Sequence, residues 1–141
     1  AQLSQVAVLT ERCRVLPERF WPGGLTLVLP KKAAVSGAIS ERPTVAVRVP
    51  DLAWTRDLIR DAGGVLAVTS ANISGDPSPV TAQQVEAQLG GRIPLILDGG
   101  ACPVGVASTI LDCSVSPPLL LRRGAVGEAD LRGAIGALRL A

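Results

Sequence analysis

Arg48 stands in "TVAVRVP", where Val45, Val47 and Val49 alternate with Ala46 and Arg48. A period of two places the valines on one face of a strand and Ala46 and Arg48 on the other. A guanidinium in mid-strand must meet water or an anion, because burying it unpaired carries a large desolvation penalty. Its planar fork suits a carboxylate or a phosphate; the alternative is an edge-strand arginine facing solvent. A second set lies in "VLAVTSANISGDPSPVT", where Thr69, Ser70, Asn72, Ser74 and Ser78 crowd the end of an apolar run. Small hydroxyls and backbone donors at a strand's carboxyl end are where open α/β sheets bind ligands; turn chemistry is the plainer alternative. A third set comprises Thr26 after "WPGG", Ser108 and Thr109 after Gly105, and Arg122 and Arg123 before Gly124. Arg122 and Arg123 read equally as a phosphate-binding pair or a solvated strand end. Asp98 and Asp112 end strands, as turn residues commonly do, although either could touch a metal.

What is missing narrows the chemistry. The chain has no His, which removes Ser-His-Asp and Cys-His catalysis and argues against zinc. Cys13, Cys102 and Cys113 have no CxxC spacing, and a reduced, cytoplasmic setting fits an odd count. No P-loop and no GxGxxG occurs. With no evident general base, catalysis would work by positioning and charge stabilisation. Hydroxyls, an amide and arginines suit an anionic nucleotide and an amino acid. The net charge of +2 does not by itself argue for nucleic acid, although 12 of the 14 basic residues are Arg. Phe20, Trp21 and Trp54 are the only aromatics, which gives few stacking platforms. Hydrophobic residues make up 48% of the chain, which argues against disorder. No apolar run reaches the roughly 18–20 residues of a membrane helix.

The elements that must position these residues alternate in type. Val6, Leu9, Cys13, Leu16 and Phe20 trace a helical face interrupted by Pro17. "LTLVLP" and "TVAVRVP" are strands. "DLAWTRDLIRDAGG" is a helix with Asp51 as its expected N-cap, Leu52, Thr55, Ile59 and Ala62 on one face, and Gly63 as its stop. Val65–Ser70 reads as a strand entering an apolar interior. "TAQQVEAQLGG" is a helix with a capping box from Thr81 and Gln84. "IPLILDGG", "GVASTILDC" and "PLLLRRG" are three further strands, and a last helix is expected over 128–138. This order predicts an α/β fold of α+β type: a twisted mixed β-sheet flanked by helices with a concave ligand cavity. One domain over 1–141 is expected.

Taken together, the motifs resemble the YrdC-like family, the threonylcarbamoyl-AMP synthases. The similar segments are "FWPGGLTLVLP", "VAVRVPD", "LAVTSANISGDPSPVTAQQV", "LILDGG", "GVASTILD" and "LLRRGAV", in family order from Phe20 to Val126. "TSANISG" and the "WPG…LTLVL" pattern are the specific ones. The resemblance implies a nucleotidyltransferase that joins L-threonine, bicarbonate and ATP into threonylcarbamoyl-adenylate and releases pyrophosphate. Partner threonylcarbamoyl transferase proteins then modify tRNA. It also implies ATP contacts from Thr26, Asn72 and Arg122, threonine contacts from Arg48, Ser70 and Ser108, and Mg²⁺ accompanying ATP, with no protein metal site and no membrane.

The sequence departs from the family pattern in places. A "T-[DE]-T-x-Y-G-L" segment and a basic "K-x-R" motif do not occur, and "AQLSQV" corresponds to a point beyond both. An N-terminally truncated domain with little synthase activity alone is therefore expected. Gly24, Ala107 and Arg123 replace a usual Pro, Glu and Pro. Two other functions fit the same residues: a non-catalytic RNA-binding module, and the YrdC-like part of a carbamoyltransferase using carbamoyl phosphate and ATP.

Overall fold

The computed structural model describes residues 2–102 and 105–141. The chain divides into two compact units, one formed by Ala1–Leu66 with Val106–Ala141 and the other by Ala67–Gly105.

The first unit begins with α1 (Leu3–Val6), a 3₁₀ turn (Glu11–Cys13) and α2 (Val15–Phe20). The single helix expected around Pro17 is thus broken into pieces. Pro17 lacks the N–H that a continuous helix would need there, but it is tolerated in the first turn of α2, where amides have no intrahelical acceptor. Strands β1 (Leu25–Pro30) and β2 (Thr44–Val47) follow, then α3 (Ala53–Asp61). Asp51 does not cap α3. Leu52 occupies the N-cap without a side-chain bond, and the Asp51 carboxylate instead pairs with Arg56 at 3.4 Å. Helix α4 (Ala82–Leu89) belongs to the second unit. The first unit resumes with β3 (Thr109–Asp112), β4 (Leu119–Arg122), α5 (Glu128–Ile135) and the short β5 (Arg139–Leu140).

The five strands form one mixed sheet in the order β2-β1-β3-β4-β5. β1 pairs antiparallel with β2 and parallel with β3; β3 pairs antiparallel with β4, and β4 parallel with β5. Leu25, Leu27 and Leu29 are fully buried, as period-two alternation requires. Leu111, Cys113 and Leu120 share this core with Leu16 of α2 and with Leu131 and Ile135 of α5. The register pairs Leu25 with Thr109 and Leu27 with Leu111, so these lie on the core face. Val47 opposite Leu27 and Val45 opposite Leu29 extend it. Thr26 and Ser108 fall on the other face.

Two expected strands are absent. Val65–Ser70 and Ile93–Asp98 have no strand assignment. Their apolar side chains are not interior either: Val68 is 80% and Leu95 67% exposed. A strand is defined by its ladder, and among the described residues neither run finds a partner. The last helix stops at Ile135, where Gly136 adopts a positive φ of 75°, and the freed chain supplies β5. In the second unit the expected cap of α4 forms: Gln84 N–H donates to Thr81 Oγ1 at 3.3 Å, and Val80 N–H donates to Gln84 Oε1 at 2.7 Å.

Candidate substrate site

Thr26, Ser108 and Arg122 meet in the sheet unit. Thr26 Oγ1 and Ser108 Oγ are 2.8 Å apart. Arg122 donates from Nη2 to Ser108 Oγ at 3.0 Å and from Nε to the Ser108 carbonyl at 2.9 Å. The parallel β1–β3 pairing brings two hydroxyls together from positions 82 residues apart in sequence, and the β3–β4 hairpin adds the guanidinium. Ser108 is buried and Thr26 half-buried, whereas Arg122 is exposed. Two of the arginine's nitrogens are fixed on one serine and its remaining N–H groups are available to an anion.

This corner is held rigidly. Thr109, 1% exposed, donates its hydroxyl to the Val126 carbonyl at 2.7 Å and accepts from Val126 N–H at 2.9 Å. Ala125 N–H donates to the Ala107 carbonyl at 3.0 Å. Gly124 makes the close approach possible, since a Cβ there would lie 2.6 Å from Ser108 C and Thr109 N. Thr109 is among the candidate hydroxyls, but it buttresses the corner from the core face instead of facing Thr26; Gly124 stands out in the sequence only as the residue after the arginine pair, and its signal is a glycine close behind a strand.

Arg48 is exposed and directly follows β2, which ends at Val47, so it is not the mid-strand residue that the alternation predicted. Its Nε donates to the Gly23 carbonyl at 2.8 Å, and Gly23 N–H donates to the Val49 carbonyl at 2.9 Å. The "WPGG" turn is thereby tied to the end of β2. No ion pair involves Arg48 among the described residues, so its terminal nitrogens point to no protein anion.

Ser70 and Asn72 belong to the second unit. Ser70 is exposed, and its carbonyl accepts from Thr69 Oγ1 at 3.2 Å. Asn72 Nδ2 donates to the carbonyls of Ile73 and Asp76 at 2.9 and 3.0 Å. This closes the "NISGD" turn and leaves Asn72 Oδ1 buried without a partner among the described residues. An oriented amide with one unsatisfied acceptor is set up to receive a donor.

Asp98 and Asp112 are turn residues. Asp98 accepts from Gly100 N–H at 2.8 Å, and Asp112 accepts from both the N–H and hydroxyl of Ser114. The Arg122–Arg123 pair splits, because Arg123 turns to Glu128 at 3.1 Å. A cavity of about 260 Å³ is lined by Arg122 and Arg123 with Leu140 and Ala141, and Thr26 and Ser108 lie outside its lining. The hydrogen-bond geometry, rather than this hollow, defines the site.

The family model described as Telomere recombination, covering Sua5, YciO and YrdC, matches residues 1–124. The chain belongs to this family. It is 42% identical to the threonylcarbamoyl-AMP synthase of Bacillus subtilis over 99% of its own length and 42% of that protein's. The crystal structure of Pyrococcus abyssi Sua5 complexed with L-threonine superposes with a TM-score of 0.95 at 42% identity, again over 99% of this chain and 42% of that one. Escherichia coli YciO shares the fold, with a TM-score of 0.79 at 22% identity. The chain thus spans less than half the length of the Bacillus and Pyrococcus relatives. Among the described residues, no helix is long and apolar enough to cross a membrane.

Proposed function

We propose that this chain is part of a cytoplasmic threonylcarbamoyl-AMP synthase, which condenses L-threonine, bicarbonate and ATP into threonylcarbamoyl-adenylate and pyrophosphate for tRNA modification by partner transferases. The observation that carries the reading is kinship with a threonine-complexed Sua5 at 42% identity and a TM-score of 0.95. Arg48, with Nε engaged on Gly23, offers its Nη1–Nη2 edge to the threonine carboxylate as a two-pronged clamp. Within the sheet unit, Ser108 orients the amino acid, and Thr26 and Arg122 receive ATP, with Arg122 balancing charge that develops on the phosphates. Because Ser108 bonds both Thr26 and Arg122, the amino-acid and nucleotide contacts adjoin at one hydroxyl. Placing the two reactants side by side supplies the rate enhancement that an absent general base cannot.

Mg²⁺ fits this scheme as an escort of ATP, since magnesium characteristically rides on substrate phosphates. When bound, it would neutralise phosphate charge.

Calorimetric titration with L-threonine, carbamoyl phosphate and an RNA hairpin tests the proposal. L-Threonine should bind, and ATP should bind in its presence. Binding of carbamoyl phosphate without threonine would favour carbamoyl transfer. Binding of the hairpin alone would favour an RNA module.

A further inference from the structure

Away from the hydroxyl–arginine site, two thiols meet in the core of the sheet unit. Cys13 ends the 3₁₀ turn and Cys113 directly follows β3. Both are buried, and both belong to the hydrophobic cluster under the sheet. Their side chains are hydrogen-bonded to each other. The surrounding backbone fixes this contact: Cys13 N–H donates to the Thr10 carbonyl at 3.0 Å, and Cys113 N–H to the Val28 carbonyl at 2.9 Å. Thr10 Oγ1 donates to the Cys113 carbonyl at 3.4 Å, tying the two segments together. Cys113, but not the fully buried Cys13, lines an open cavity of about 150 Å³ with Thr10, Arg12 and Ser114, so a small oxidant would meet the pair at the Cys113 sulfur.

Two thiols in contact titrate as a pair. The hydrogen bond from Cys113 lowers the Cys13 pKa to about 7, helped by Thr10 and Arg12 and opposed by burial. The same bond and burial push Cys113 up. The first ionisation of the pair is thus eased relative to an isolated buried thiol, and the thiolate is the reactive form. Cys102, in the other compact unit, is exposed and free.

We propose that Cys13 and Cys113 are an oxidisable dithiol that a hydroperoxide converts to a disulfide, pinning the N-terminal segment to the end of β3. The thiolate sulfur attacks the peroxide oxygen; the O–O bond breaks, a sulfenic acid forms, and the alkoxide or hydroxide leaving group takes up a proton. The second thiol then attacks the sulfenic sulfur, expelling water as the S–S bond forms. Two thiols lose two electrons and two protons, and one peroxide is reduced to water and an alcohol, or to two waters. The bond closes a long loop, and such cross-links restrict the unfolded chain most.

The test treats the 141-residue chain with hydrogen peroxide at neutral pH, alkylates remaining thiols, digests without reductant and identifies linked peptides by mass spectrometry. A Cys13–Cys113 linkage two hydrogens lighter and cleaved by dithiothreitol is expected, with Cys102 alkylated. Tm should rise on the order of 5 °C or more. Cys102→Ser should form the bond equally well, and Cys113→Ser should lose both the linkage and the Tm rise. Recovery of Cys13 and Cys113 unlinked, or linkage only through Cys102, would overturn the proposal.

Discussion

Arg48 donates its Nε to the Gly23 carbonyl, so the free end of the guanidinium is oriented in advance. Lysine retains the charge but neither the fork nor the fixed plane. Arg48→Lys should weaken L-threonine binding by about 1.5–3 kcal/mol, the size of a hydrogen bond to a charged group, and change ATP affinity much less. Titration calorimetry of both ligands, with a thermal melt as control, checks this. An unchanged threonine affinity would make Arg48 a solvent-facing residue that only tethers the "WPGG" turn. Gly124 is the opposite kind of residue, defined by what it lacks. A methyl there meets Ser108 and Thr109 backbone at 2.6 Å, and backbone cannot step aside as a side-chain tip can. Gly124→Ala should destabilise the chain by about 1–3 kcal/mol or more, read by urea denaturation, and should disturb the Ser108 hydroxyl that both ligands would share.

At the scale of elements, β1 joins the core to the site: its odd-numbered leucines face the helices and Thr26 faces Ser108. Leu27→Ala removes a fully buried side chain between β2 and β3 and should cost about 2–5 kcal/mol, again measured by urea denaturation. α5 opens with Glu128, whose carboxylate accepts from Arg132 at 2.9 Å and Arg123 at 3.1 Å. The hydrogen bond from Arg132, then that from Arg123, holds its pKa below the ordinary glutamate value of 4.5. A group depressed in the folded state adds stability above its unfolded pKa and loses that contribution as pH falls through the folded pKa. The Glu128 contribution should therefore be present at neutral pH and fade below about 4.5, the wild type converging on Glu128→Gln in acid. Carboxyl NMR titration would show the Glu128 midpoint below 4.5.

For the molecule as a whole, the sheet unit carries the strand ladders and the buried core. Amides of β1 and β3 should be the slowest to exchange with deuterium, and those of Val65–Ser70 and Ile93–Asp98 among the fastest, because the latter lack ladder partners among the described residues. Protection of both runs equal to that of β1 would mean that they are paired in solution. These two runs are also where the sequence misleads most. "VLAVTS" and "IPLILD" have the composition of buried strands, but composition describes only what a side chain would favour if a sheet were beside it. Pairing is a non-local property, and exposed valines and leucines mark its absence.

Local pattern alone was enough for much of the rest. Alternation in "LTLVLP" and "TVAVRVP" determined which side chains face the core and which face away, because strand side chains repeat every two residues. "TSANISG" and its companion segments indicated the family and the candidate residues. The sequence could not show that Thr26 and Ser108 touch, that Arg122 and not Arg123 completes the array, or that Cys13 reaches Cys113. The first two depend on the parallel β1–β3 register and on the glycine that lets the chain after β4 return close to β3, and the third on the packing of the 3₁₀ turn against the end of β3. Contacts between distant positions are made by the packing of whole elements, and no window along the chain contains both partners.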